Sequence, residues 1–286
     1  MQSLHHPTVI PLPFAPHPQS HTLHFFNKQH ISSSIFSTRS YLTRTRCSPP
    51  SPATTVVSTS SLWEKGPIEG VLFDIDGTLC DSDPLHFYAF RQMLQQVGFN
   101  NGVPISEEFF IENISGRHNE DLCGILLPDW DLPKARNFFQ HKEAYFCRLA
   151  EEQLEAIEGL DKVCKWIEER GIKRAAVTNA PRPNAELILS MLKLTDFFEE
   201  VIIGNECERA KPFPDPYLKA LQALQLSPQR SFVFEDSVSG IKAGVGAGMR
   251  VVGVGRRNPK ELLQEAGATF VIQDFNDPIL WTQLLF

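Results

Sequence analysis

The sequence predicts an α/β protein: a doubly wound parallel sheet carrying one inserted α-helical segment. Three observations predict it. From Ile157 onward, short apolar runs alternate with amphipathic stretches, the rhythm of a parallel sheet with right-handed crossovers. Far upstream, Val71-Leu72-Phe73 reads as one more short buried strand. Between them, from Leu85 to about Glu155, there are helical patterns and no good strand, so about 70 residues sit between the first strand and the rest of the sheet. A chain of 286 residues is long enough for one or two domains with a substantial core.

The first 63 residues stand apart. They contain no Asp or Glu, are dominated by Ser, Thr and Pro, and hold six of the nine histidines. Such a stretch cannot bury enough apolar surface to offset the entropy of ordering, and it is expected to be disordered. An acid-free, Ser-rich start bearing Arg39, Arg44 and Arg46 matches an organelle transit peptide and lacks the apolar centre of a secretory signal. A chloroplast is the expected address, with mitochondrion or cytoplasm as alternatives. Setting aside Lys28, Arg39, Arg44 and Arg46 leaves 23 of the 27 basic residues against 34 acidic ones, a charge of −11. That balance disfavours nucleic acid as a partner. No apolar run is long enough to span a bilayer. Six scattered cysteines, with no CxxC pair and no His at ligand spacing, argue against zinc and against a disulfide framework.

The first strand ends in Asp74-Ile75-Asp76-Gly77, two carboxylates one residue apart and a glycine that lets the chain turn. A calcium loop would need glycine at its sixth position rather than the fourth, so that reading fails. Cys80-Asp81-Ser82-Asp83-Pro84 then starts a helix, with Phe87, Phe90, Leu94 and Val97 at helical spacing and Gly98 as the stop. Ser106 with Glu107 and Glu108 begins another. After Ile157, Leu160, Val163, Cys164 and Ile167 form a helix face ended by Gly171. Strand 175–179, a helix with Leu187, Ile188, Met191 and Leu192, and strand 201–204 follow. Tyr217, Leu221 and Leu224 mark the next helix, before strand 231–234 with Glu235-Asp236 at its end. A helix to Gly248, strand 251–254, a helix capped by Asn258-Pro259 with Glu261, and strand 270–272 complete the pattern. The Gly244-Val245-Gly246-Ala247-Gly248 run precedes a strand where a dinucleotide fingerprint must follow one, so no nucleotide cofactor is expected.

In a parallel sheet, strand ends lie on one edge, where ligands bind. Asp74 and Asp76, Thr178 and Asn179, Lys211, and Glu235 and Asp236 all fall just past such ends. Four carboxylates with one lysine repel one another unless a hard cation such as Mg2+, which takes oxygen ligands, sits among them.

Asp74-Ile75-Asp76-Gly77-Thr78-Leu79, Val177-Thr178-Asn179, Ala210-Lys211-Pro212 and Glu235-Asp236-Ser237-Val238-Ser239-Gly240-Ile241 resemble the four motifs of the haloacid dehalogenase superfamily, over about residues 68–275. The resemblance implies a Rossmann-like core of residues 68–82 and 157–286 and a small helical cap of residues 83–156, as in the phosphoglycolate phosphatase and β-phosphoglucomutase branch. Within that branch the chain resembles plant sugar-phosphate phosphatases of broad specificity. The resemblance implies that Asp74 attacks phosphorus and becomes an aspartyl phosphate, and that Asp76 is the general acid and base. It further implies that Thr178 hydrogen-bonds the phosphate and that Lys211 neutralises charge. Asp74, Asp76 (through its carbonyl), Asp236 and Glu235 are the metal set for Mg2+. An acid at Asp76 fits an alkoxide leaving group, which needs a proton, and disfavours dehalogenation.

Candidate substrate contacts are Asn179 and, from the cap, His86, Arg117 and His118. His86 stands where the β-phosphoglucomutase branch has a hinge histidine governing the general acid. The expected activity is Mg2+-dependent hydrolysis of small sugar phosphates by a monomer. Alternatives are a phosphosugar mutase and a phosphoglycolate or flavin mononucleotide phosphatase. The mutase branch carries an arginine three residues after the cap glycine, whereas here Asn119 takes that place and Arg117 follows Gly116 directly. A catalytically silent relative usually lacks one of the acids, and all are present here.

Overall fold

The computed structural model describes residues 66–285, so the transit-peptide reading of residues 1–63 lies outside the described residues. Six parallel strands form one sheet: β1 (Gly70–Phe73), β2 (Lys173–Thr178), β3 (Glu200–Ile203), β4 (Ser231–Glu235), β5 (Arg250–Val254) and β6 (Phe270–Ile272), in the order β3-β2-β1-β4-β5-β6. The sequence runs outward in one direction through β2 and β3, then returns to the other side of β1 with β4. The reversal leaves a crevice beyond the carboxyl ends of β1 and β4, where ligands of such sheets bind.

Both faces of the sheet are covered, which explains why its strands read as apolar runs rather than as alternations. Val71 and Phe73 pack in one layer with Leu160, Val163 and Ile167, while Leu72 points into the other with Tyr217, Leu221 and Ile241. The first layer is closed by Leu280 of α10 (Pro278–Leu285). Each fully buried Phe or Leu contributes roughly 1.5–3 kcal/mol relative to exposure. Loss of one central side chain is therefore felt across the layer.

Between β1 and β2 the chain forms α1 (Asp83–Gln96), α2 (Glu107–Asn113), α3 (Asn119–Leu126) and α4 (Leu132–Gln153). Ser106 caps α2 by accepting from the Phe109 amide at 3.2 Å, as its sequence position suggests. Phe90, Leu94, Phe110, Leu122 and Phe139 build a separate apolar centre for these helices. Val97 is not part of it: α1 ends at Gln96, Gly98 turns at φ +77°, and Val97 is 40% exposed.

The insertion enters and leaves through two adjacent segments joined by one antiparallel bridge, Cys80 to Ala156. The Asp81 amide donates to the Glu155 carbonyl at 2.9 Å and the Ile157 amide to the Leu79 carbonyl at 3.0 Å. Asp81 also accepts from Arg256 at 3.1 Å and from Arg257 at 2.8 Å, tying the hinge to the loop after β5.

The remaining helices are α5 (Leu160–Glu168), α6 (Arg182–Met191), α7 (Asp215–Ala223), α8 (Val238–Gly246) and α9 (Lys260–Glu265). On α6 the buried face is Asn184, Ala185, Ile188 and Leu189, turned from the Leu187–Leu192 stripe that apolarity alone selects. Among the described residues no helix is long and apolar enough to cross a membrane, and Cys80, Cys123, Cys147, Cys164 and Cys207 are free.

Candidate active site

Strand register sets the chemistry in a row. Phe73 stands opposite Ala176 on one side and Phe234 on the other, so the next residues, Asp74, Val177 and Glu235, lie side by side at the carboxyl edge. Lys211, from the loop between β3 and α7, spans this row. Its ammonium donates to Asp74 Oδ1 at 2.7 Å, to the Val177 carbonyl at 2.7 Å and to Glu235 Oε1 at 2.8 Å. An ammonium has three hydrogens, and each is used. Burial alone would lower the Lys211 pKa, but the Asp74 and Glu235 carboxylates hold it well above the ordinary lysine range.

Glu235 departs from expectation. It is fully buried, and its oxygens accept from Lys211, from the Tyr217 hydroxyl at 3.2 Å, and from the Ser237 amide and hydroxyl at 2.9 and 3.1 Å. That uses the four acceptor sites of a carboxylate, so Glu235 anchors Lys211 and the start of α8 instead of offering a metal ligand. Gly240 makes the room: a Cβ there would lie 1.5 Å from Glu235 Oε1.

Asp236 turns the other way. Its carboxylate receives Asn258 at 3.4 Å and lies 3.5 Å from the Thr78 hydroxyl, while Asn258 also donates to its carbonyl at 3.0 Å. Asn258, read from the sequence as a helix cap, caps nothing. It is buried, and it fixes Asp236. Burial, with Asp83, Glu235 and Asp74 nearby, pushes the Asp236 carboxyl well above its usual range. Asp83, also buried and lining the cavity, is pushed up to about 6, mainly by burial.

Thr178 ends β2 with its Oγ1 accepting from the Ala180 amide at 2.9 Å, which leaves the hydroxyl hydrogen for an anion. Asn179 does not face a ligand freely. Its amide donates to the carbonyls of Lys211 at 3.1 Å and Gly116 at 3.3 Å, and its oxygen accepts from the Lys211 amide at 3.1 Å. It therefore positions the lysine loop and ties it to the inserted helices. Gly116, at φ +69°, comes so close to Ser237 that a Cβ would meet it at 2.6 Å.

Asp76 accepts from His86 Nε2 at 3.1 Å, and His86 Nδ1 lies 3.1 Å from Lys142 Nζ. As an ammonium, Lys142 can only donate, so Nδ1 accepts and Nε2 carries the hydrogen toward Asp76. His86 is stacked on Phe146 with ring centroids 3.7 Å apart. Expected among the substrate contacts, it is instead a positioning group for Asp76. Burial would raise the Asp76 carboxyl, but the His86 hydrogen bond, with the Lys142 ammonium behind it, outweighs it and holds the carboxyl below its usual range.

His118 is corrected too. Its Nδ1 accepts from the Glu120 amide at 3.3 Å, capping α3, and the side chain lines a separate groove facing Arg209 and Phe213. Arg117 does line the active-site cavity, at its exposed rim.

Sequence reasoning missed Lys142, Glu143 and Asn184. A Lys-Glu pair inside α4 reads as a solvated face, yet Lys142 is 2% exposed and Glu143 9%. The available signal was the aromatic setting of the pair, between Phe138-Phe139 and Phe146, which leaves an ion pair little water.

The enclosed space, about 80 Å³, is small. It is bounded by Asp74, Asp76, Thr178, Lys211 and Asp236 on the sheet side. Burial, opposed by Lys211 and aided by Glu235 and Asp76, pushes the Asp74 carboxyl up to about 8. An Asp74 carboxylate ionised near neutrality needs compensating positive charge, and the Lys211 ammonium bonded to it is shared with Glu235. The donor set therefore fits a hard divalent cation between Asp74 and Asp236, with the Asp76 carbonyl available. Among the described residues no three acid, histidine or cysteine side chains form a cage on their own. Two carboxylates and a carbonyl suit Mg2+, which keeps several waters.

Residues 71–254 match the family described as haloacid dehalogenase-like hydrolase. The phosphorylated carbohydrates phosphatase of Thermotoga maritima is 31% identical over 209 residues, covering 72% of this chain and 94% of that protein. A β-phosphoglucomutase from Clostridium difficile superposes with a TM-score of 0.65 at 25% identity, covering 73% of this chain and 92% of its own. Protein CbbY from Rhodobacter sphaeroides, solved in complex with xylulose-(1,5)bisphosphate, gives 0.64 at 26% identity, covering 73% and 95%.

Proposed function

The chain belongs to the haloacid dehalogenase-like hydrolases, and from that premise we propose that it is a Mg2+-dependent phosphatase of small sugar phosphates, working through an aspartyl phosphate on Asp74. The observation that carries this reading is the Lys211 ammonium bonded to Asp74 at 2.7 Å, with Asp76 held alongside by His86. Asp74 attacks phosphorus as the bond to the sugar oxygen breaks, and Asp76 gives that oxygen its proton. Asp76 as an ionised base then takes a proton from the water that attacks the phosphorus. The Asp74–phosphorus bond breaks and inorganic phosphate leaves.

The Asp76 carboxylate bonded to His86 is in the state the second half needs. For the first half it has to carry a proton, so the His86 contact must loosen when substrate enters. Lys211 and the Thr178 hydroxyl offset charge on the phosphoryl oxygens. Mg2+, held by Asp74, Asp236 and the Asp76 carbonyl, would supply Lewis-acid charge neutralisation. Activity as a monomer in a plastid completes the proposal, the address resting on the acid-free first 63 residues.

The test is phosphate release from sugar monophosphates, phosphoglycolate and flavin mononucleotide, with Mg2+ or with a chelator. Sugar monophosphates are expected to turn over only with Mg2+, and Asp74→Asn to abolish turnover without unfolding the chain. Retained activity in that variant would rule out the aspartyl phosphate. The likeness to β-phosphoglucomutase keeps a mutase as the second reading. Against it, Asn119 stands where that branch has arginine, and its amide is spent on Glu143 at 2.8 Å. Conversion of β-glucose 1-phosphate to glucose 6-phosphate without phosphate release would favour the mutase.

A further inference from the structure

The cavity wall carries a buried carboxylate that makes no direct contact with Asp74, Asp76, Thr178 or Lys211. It is that of Glu143, nine-tenths buried. Oε1 accepts from Lys142 at 2.8 Å and from Asn119 at 2.8 Å, while Oε2 accepts from Asn184 of α6 at 2.6 Å. A carboxylate has about four acceptor sites, so Oε2 keeps one in reserve. The Ser115 hydroxyl, on the same cavity wall, is buried and has no partner.

The buried cation beside Glu143 is already paired. Lys142 is engaged by Glu143 and His86 and lies 4.4 Å from the Phe90 ring centroid. Arg117 reaches the cavity only from its exposed rim. A second phosphate or a carboxylate seated here would be buried beside the Glu143 carboxylate, with the Lys142 ammonium already shared between Glu143 and His86 and Arg117 exposed at the rim, which is unfavourable. A hydroxyl group would meet an open acceptor at Glu143.

Resting on the phosphatase reading above, we propose that Glu143 is a specificity-determining residue: it accepts a hydroxyl from the non-phosphorylated end of the substrate and bars a second anion there. The substrate class is then a polyhydroxy compound carrying one phosphate, not a bisphosphate or a phosphorylated acid.

The test measures kcat/KM for phosphate release by the full chain with Mg2+ on ribose 5-phosphate, ribose 1,5-bisphosphate, phosphoglycolate and butyl phosphate. The first is expected to exceed each of the others by about tenfold or more, since a site built to bond a hydroxyl rejects analogues lacking it. Glu143→Gln, which removes the charge and frees Lys142, is expected to improve the bisphosphate relative to the monophosphate by about tenfold, a change of about 1.4 kcal/mol. Should that variant fail to fold, Asn119→Arg on the first turn of α3 places a cation at the same spot and is expected to shift the ratio in the same direction. Comparable turnover of mono- and bisphosphate by the unaltered chain, or an unchanged ratio in the folded variants, overturns this inference and leaves the phosphatase standing. Turnover of none of the four esters overturns the phosphatase reading as well.

Discussion

Replacing Lys211 by Met keeps the length of the side chain and removes three hydrogen bonds of 2.7, 2.7 and 2.8 Å from a site only 2% exposed. Asp74 and Glu235 are then left adjacent, buried and without a cation. Breaking a buried pair from one side costs about 3–5 kcal/mol. At about 2–4 °C per kcal/mol for a domain of this size, the melting temperature is expected to fall by about 6–20 °C. The loss has a definite pH dependence. Asp74, already raised to about 8 by burial, loses its only cationic partner and rises further. A carboxyl whose folded pKa lies above its unfolded value loses stability as pH rises toward that folded value. Below about pH 8 the Asp74 carboxyl is protonated in both folded proteins and they lose stability in parallel, so the gap is expected to be flat from about pH 5 to 7 and to widen as pH rises above about 8, where only the parent's Asp74 ionises. Thermal unfolding in the presence of a chelator, followed by circular dichroism, measures it. A cost below about 1 kcal/mol with no pH trend would refute the view that the ammonium ties the row together.

Gly240→Ala sets a methyl group where Glu235 Oε1 now lies, 1.5 Å away, so Glu235 must shift from Lys211 and Ser237. A loss of about 1–3 kcal/mol, with lower activity at saturating Mg2+, is expected from calorimetry and phosphate release. Asp81→Asn removes a carboxylate that Arg257 and Arg256 hold below its usual range against the effect of burial. A depressed carboxyl stabilises above its unfolded pKa of about 3.9 and loses that contribution as pH falls through the folded value. The variant should therefore melt lower than the parent at pH 7, by a difference that disappears at the acid end of a pH series. A constant difference throughout would show that the charge contributes nothing.

Much of the fold was legible because its strands are buried on both faces. Apolar runs such as Val71-Leu72-Phe73 and Val251-Val252 have no other use in a chain with helices between them. The beginnings of strands were not. Lys173 and Arg174 belong to β2 by pairing with Gly70 and Val71, and their side chains donate to carbonyls of Leu224, at 2.7 Å, and Phe197, partners remote in sequence. At the site, the sequence identified which residues reach the edge, since register is a backbone property. It did not reveal which way each side chain turns there. Glu235 and Asp236 are neighbours at the end of one strand, yet one faces Lys211 and the other the cavity, a choice made by Gly240, Tyr217 and Asn258. His118 and Asn179 likewise spend their polar atoms on backbone partners that only the folded chain supplies.

The paired segments at Leu79–Asp81 and Glu155–Ile157 have a further consequence. Because the helical segment departs and returns through one doorway, it can be lengthened, exchanged or trimmed without altering the order of the sheet. On the function proposed above, chemistry would rest with the sheet and selectivity with the inserted helices. A graft cut at that doorway would bring a new clientele to the same nucleophile.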